Sequence, residues 1–109
     1  MSYNTAREST RVNRLYNQAG PSGEYEIPFD GKDIRFLRIT NILTVPLTLD
    51  IYLEARAPTA EQFFICKDIL VLNGSSLEFT DDDIFLSPGY KLMVRTPLGN
   101  SFSAIYRLK

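Results

Sequence analysis

The chain has no histidine, no tryptophan and a single cysteine, Cys66. Without histidine there is no imidazole base, no Ser-His or Cys-His nucleophile pair and no histidine-ligated metal. One cysteine leaves no internal disulfide framework and no multi-cysteine zinc or iron–sulfur site. No glycine-rich loop ends in the Gly-Lys-Ser/Thr that cradles phosphate. No apolar run approaches the ~18 residues that cross a bilayer. The polar opening Met1-Ser2-Tyr3-Asn4 lacks the apolar core of a secretory leader, so a chain made in a cytoplasm is expected. An excess of one charge is missing too. Twelve basic residues stand against 13 acidic ones, a net charge of −1, and no global basicity points to nucleic acid or an anionic membrane.

What is present is an ordinary soluble composition, 44% hydrophobic and 23% charged, over 109 residues, enough for one domain with a core of its own. The charge is unevenly placed. Residues 1–23 carry Arg7, Arg11 and Arg14 against Glu8, a net of +2, and the remainder carries −3. The first 23 residues also lack sustained periodicity and end in the breakers Gly20, Pro21 and Gly23. They read as an extended or partly helical arm, ordered by contact with something else. Its expected contact residues are Arg7, Arg11, Arg14, Leu15 and Tyr16, docking on the acidic face of a neighbouring copy.

From residue 24 the pattern changes to short alternating segments. Leu47, Leu49, Ile51 and Leu53 share one face, with Thr48, Asp50, Tyr52 and Glu54 on the other; a helix would scatter those four apolar residues. Residues 34–41 are apolar on both faces, as a central strand should be. Residues 63–72 form a long apolar run broken by Lys67-Asp68, read as a bent strand or two short ones. Ile84-Phe85-Leu86 reads as a short strand, Pro97-Leu98-Gly99-Asn100 as a hairpin loop, and Phe102, Ala104, Tyr106 and Leu108 as a final strand. Asn73-Gly74-Ser75 fits a glycosylation sequon but is first a turn. Seven to eight strands at roughly 8–12-residue spacing predict an all-β fold, a single antiparallel β-sandwich of jelly-roll or immunoglobulin-like type. Residues 24–109 form the sandwich, with residues 1–23 as its extended N-terminal arm.

Candidate chemistry is thin. Asp81-Asp82-Asp83 lacks calcium-loop spacing, since three adjacent carboxylates cannot all point at one ion. Glu54, Glu61 and Glu78 supply acids for a glycosidase pair, but no aromatic-lined cleft accompanies them. Cys66, inside Phe63-Phe64-Ile65-Cys66, reads as a core residue and not a reactive thiol. Arg35 and Arg38 flank Phe36, a pairing also found on nucleic-acid platforms, yet on an acidic domain they read as ion-pair partners. Tyr52, Phe85 and Tyr90 are the aromatics a carbohydrate-binding module would use.

One order of segments resembles a family. Arg38-Ile39-Thr40-Asn41 leads into residues 45–53, then Leu72-Asn73-Gly74-Ser75-Ser76-Leu77, then Ile84-Phe85-Leu86-Ser87-Pro88-Gly89-Tyr90-Lys91-Leu92. Over about residues 36–108 this resembles the small β-sandwich structural proteins of tailed-bacteriophage particles. Arg11-Val12-Asn13-Arg14-Leu15-Tyr16 is similar to the opening of phage virion proteins. The acid usual after the Pro-Gly turn is Tyr90 here, so any role of that acid does not carry over. The resemblance implies a non-enzymatic virion protein, either capsid decoration (cement) or a tail or fibre-attachment accessory. It would be assembled in the host cytoplasm as a homo-oligomer beside capsid, tail or portal subunits, with no cofactor, metal, membrane or nucleic-acid partner.

Overall fold

The computed structural model describes residues 13–29, 34–56, 58, 61–80 and 89–108. They form eight strands: β1 (Asn13–Asn17), β2 (Gly23–Ile27), β3 (Ile34–Asn41), β4 (Leu47–Ala55), β5 (Gln62–Val71), β6 (Ser76–Thr80), β7 (Tyr90–Thr96) and β8 (Phe102–Leu108). None of the described residues is helical. The strands make two four-stranded antiparallel sheets, ordered β1-β8-β3-β6 and β2-β7-β4-β5.

Alternation puts one face of each sheet into a shared apolar core. The first sheet contributes Leu37, Ile39, Phe102, Ala104 and Tyr106; the second contributes Ile27, Leu49, Ile51, Leu92 and Val94. Each of the larger aliphatic side chains adds about 1.5–3 kcal/mol by leaving water. The apolar pattern of residues 34–41 has a different origin from the one expected. The pairing steps from Ile34↔Leu108 to Phe36↔Arg107, leaving Arg35 as an extra residue. This bulge shifts the alternation, so Ile34 and Leu37 are both buried while Phe36 is only half-buried.

Residues 63–72 lie mostly in one strand, β5, bent by two bulges. Tyr52 pairs with Phe64 and Ile51 with Cys66, which leaves Ile65 extra; Leu49 then pairs with Ile69, which leaves another extra residue at Lys67-Asp68. Asp68 adopts a φ of 53°, the left-handed conformation an aspartate tolerates better than most residues.

The expected hairpin at 97–100 is instead a crossing from the second sheet to the first. It is held against residues 18–22. Asn100 N donates to Gly20 O at 3.1 Å, and Gly20 N donates to Asn100 Oδ1 at 3.0 Å. Gly99 sits so close that a Cβ there would lie 2.7 Å from Gly20 O. The buried Gln18 completes the clamp: its Nε2 donates to Gly20 O and Pro21 O at 2.9 and 3.0 Å, and its Oε1 accepts from Ser101 N at 2.5 Å.

Residues 13–17, which the sequence reading placed in the arm, therefore lie in a sheet as β1 along β8. Polar Asn13, Arg14 and Asn17 hide the strand in the sequence. Its anchors are Tyr16, whose ring lies 6.1 Å from that of Phe102, and the Gln18 clamp just beyond. Ile84-Phe85-Leu86 lies outside the described residues.

Candidate functional site

The densest polar cluster lies on the outer face of the second sheet. Glu24, Arg95 and Asp50 are outward positions on β2, β7 and β4, and strand register sets them in one row. Arg95 bridges both acids: Nη1 donates to Asp50 Oδ2 at 3.0 Å and Nη2 to Glu24 Oε1 at 2.9 Å. Its guanidinium lies 5.1 Å from the ring centre of Tyr52 and 6.0 Å from that of Phe64. The Tyr52 hydroxyl donates to Glu24 Oε1. The left-handed turn at Asp68 aims its N–H at Asp50 Oδ1, 2.7 Å away. Lys67 Nζ covers the other part of this face, 5.0 Å from the Phe64 ring centre. Two outward rows further on, Lys91 pairs with Glu54 at 3.2 Å and Gln62 Nε2 donates to Glu54 Oε1 at 3.0 Å.

These contacts set the local acidity. The Tyr52 hydroxyl and then Arg95 hold the Glu24 carboxyl below its ordinary range. The Gln62 amide does the same for Glu54, with Lys91 assisting. Burial, reinforced by Glu24, pushes the Tyr52 hydroxyl upward. The network is thus a charged, hydrogen-bonded lid over the sheet.

Beside it opens a cleft of about 440 Å³, lined by Ser22, Gly23, Thr48, Asp50, Asp68, Arg95, Thr96 and Pro97. That volume falls within the roughly 300–1,000 Å³ of small-molecule sites. The lining mixes carboxylates, a guanidinium and hydroxyls, which suits hydrogen bonding to a polar, hydroxyl-bearing ligand. Among the described residues no group of three or more Cys, Asp or Glu side chains is placed to hold a metal ion.

The residues singled out from sequence are placed as follows. Arg7 and Arg11 lie outside the described residues. Arg14, Leu15 and Tyr16 sit on β1, where alternation sends Leu15 and Tyr16 to opposite faces. Tyr16 packs inward on Phe102, while Leu15 is 77% exposed. Tyr52, expected to face out, is on the outer face but fully buried beneath Arg95 and against Phe64, so its ring is closed to sugar stacking. Tyr90 is half-buried, edge-on to Phe63 at 5.9 Å. Phe85 and Asp81-Asp82-Asp83 lie outside the described residues.

Glu54 and Glu78 stand in different sheets and form no pair; Glu78 instead accepts from Arg38 Nε at 2.8 Å. Arg38 also lies 5.5 Å from the Phe36 ring centre. Cys66 is half-buried at the core's edge, where burial pushes its thiol pKa up. The sequence reading missed Arg95, Glu24 and Asp50 as a site. Their signal is weak but real: outward positions of opposite charge on three strands, waiting for a strand order to join them.

A second surface feature lies next to this cluster. β5 closes the second sheet, and no described strand pairs with its outer edge. It exposes Phe63 (49%), Phe64 (40%) and Leu70 (59%). No helix among the described residues is long and apolar enough to cross a membrane. No protein-family model and no curated protein matches this chain.

Proposed function

We propose that the chain is a non-enzymatic structural subunit of a tailed-bacteriophage particle, a jelly roll that docks on other virion proteins through residues 1–12 and its exposed sheet surface. The observation that carries this reading is the nesting of strand pairs: β1 with β8, β2 with β7, β3 with β6 and β4 with β5. Nested pairing in which β8 also meets β3 and β7 also meets β4 supports a chain folded back as one long hairpin and then rolled, as in a jelly roll. This architecture recurs in viral capsid domains, as it does in lectins and cupins. The segment order that resembles phage particle proteins supports the same class. Exposed apolar side chains on an open sheet edge suit a molecule that works by packing against neighbours.

The test is incorporation. Residues 1–12 can be deleted without touching β1 or Gln18, whereas a deletion reaching residue 20 would remove both. The shortened chain folds but is lost from particles, and normal incorporation overturns the docking role of this segment. A second reading, a ligand-binding jelly roll, is favoured by the cleft at Asp50, Asp68 and Arg95. Calorimetric titration with neutral saccharides separates the two, because a particle subunit releases no binding heat.

A further inference from the structure

The geometry points to β5 as a self-complementary edge, through which a second copy of this chain pairs antiparallel about a twofold axis between Lys67 and Asp68. This deepens the reading of the chain as an assembly subunit by naming one contact and its partner.

The argument starts from edges. The sheets end in β1, β6, β2 and β5; the first three have five residues each and β5 has ten. A long edge with exposed apolar side chains invites strand addition, and charges and bulges normally restrict which partner fits. On β5 these restrictions fit the strand's own reverse. The centre is Lys67-Asp68, with apolar residues on both sides. Rotation about the axis sets Lys67 opposite the partner's Asp68, and the reciprocal contact follows by symmetry.

The faces also match. Against β4, Phe64 opposes Tyr52 and Leu70 opposes Thr48, both outward, while Phe63, Cys66, Ile69 and Val71 oppose the inward Leu53, Ile51, Leu49 and Leu47. Counting both bulges as single positions, as β4 already does, centres the axis on the Lys67-Asp68 position and sets Ile65-Cys66 opposite the partner's Ile69. Phe64 then meets the partner's Leu70 on the outer face, and Phe63 meets the partner's Val71 on the inner one. Two of the most exposed apolar side chains of the strand are thereby covered, twice over. A slip by one residue would set Lys67 against the partner's Lys67, so charge fixes the register.

The test uses the full chain. Sedimentation equilibrium at about 100 µM, where even a micromolar Kd populates the complex, yields a dimer. Leu70→Lys weakens it by at least about tenfold, as a charge at a packed contact does. Should that variant misfold, oxidation of the triple variant Phe64→Cys/Cys66→Ser/Leu70→Cys decides. It gives a covalent dimer, because positions 64 and 70 meet only between copies. Phe64→Cys/Cys66→Ser alone stays uncrosslinked. A monomer at every concentration, a dimer indifferent to Leu70→Lys, or absent crosslinking overturns the edge assignment. A monomer that still enters particles leaves the subunit reading standing; a β5 dimer absent from particles does the reverse.

Discussion

Arg95 is the residue on which the outer face depends. It neutralises the buried Asp50 and the exposed Glu24 together, and it covers Tyr52. Arg95→Leu leaves Asp50 with a backbone N–H alone. Because Arg95 is itself about a third exposed (36%), the expected loss is toward the low end for a broken charged hydrogen bond, about 2 kcal/mol, read from the urea midpoint. Acidity supplies a second prediction. Glu24 is more acidic folded than unfolded, so its stabilisation is present above the ordinary carboxyl value of about 4.3. It is lost as pH falls through the folded value. Glu24→Gln therefore narrows the gap in unfolding free energy between pH 7 and pH 3, although Glu54 keeps part of it. Tyr52 works at the other limb: its raised hydroxyl contributes up to the ordinary tyrosine value and loses that contribution as pH rises through the folded one. None of these pairings is visible in local sequence, because Glu24, Asp50 and Arg95 meet only through strand order.

At the scale of elements, period-two alternation made most strands legible. It failed wherever the backbone departs from two. The bulge at Arg35 makes β3, a central strand as expected, look apolar on both faces, and the two bulges of β5 make the bent strand that the sequence reading allowed look broken. β1 was hidden for a different reason. Besides its pairing with β8 and the Tyr16–Phe102 contact, it is held by Gln18, a polar residue whose bonds run to Ser101 and to the carbonyls of Gly20 and Pro21, contacts that no periodicity encodes. The same clamp makes Gly99 costly to replace. In Gly99→Ala the new methyl meets the Gly20 carbonyl at 2.7 Å, and backbone cannot yield as a side-chain tip would. The expected cost is about 1–3 kcal/mol, as for overpacking elsewhere. Amide exchange in β1 should quicken beyond that in β4, because the clamp holds β1 to the fold.

For the whole molecule, nested pairing and unpaired edges carry more of the functional reading than any chemical group does. The candidate contacts read from sequence divide accordingly: Tyr16 belongs to the fold, Leu15 points to solvent, and Arg7 and Arg11 lie outside the described residues. The central claim, that this is a particle subunit held in part by residues 1–12, is tested most directly by quantitative mass spectrometry. On the proposed reading, density-purified particles of a phage encoding this chain would be compared with and without those residues. The account predicts multiple copies of the intact chain per particle and near-complete loss of the shortened one, with both folded in the lysate. An intact chain that is folded in the lysate but absent from the particles contradicts it.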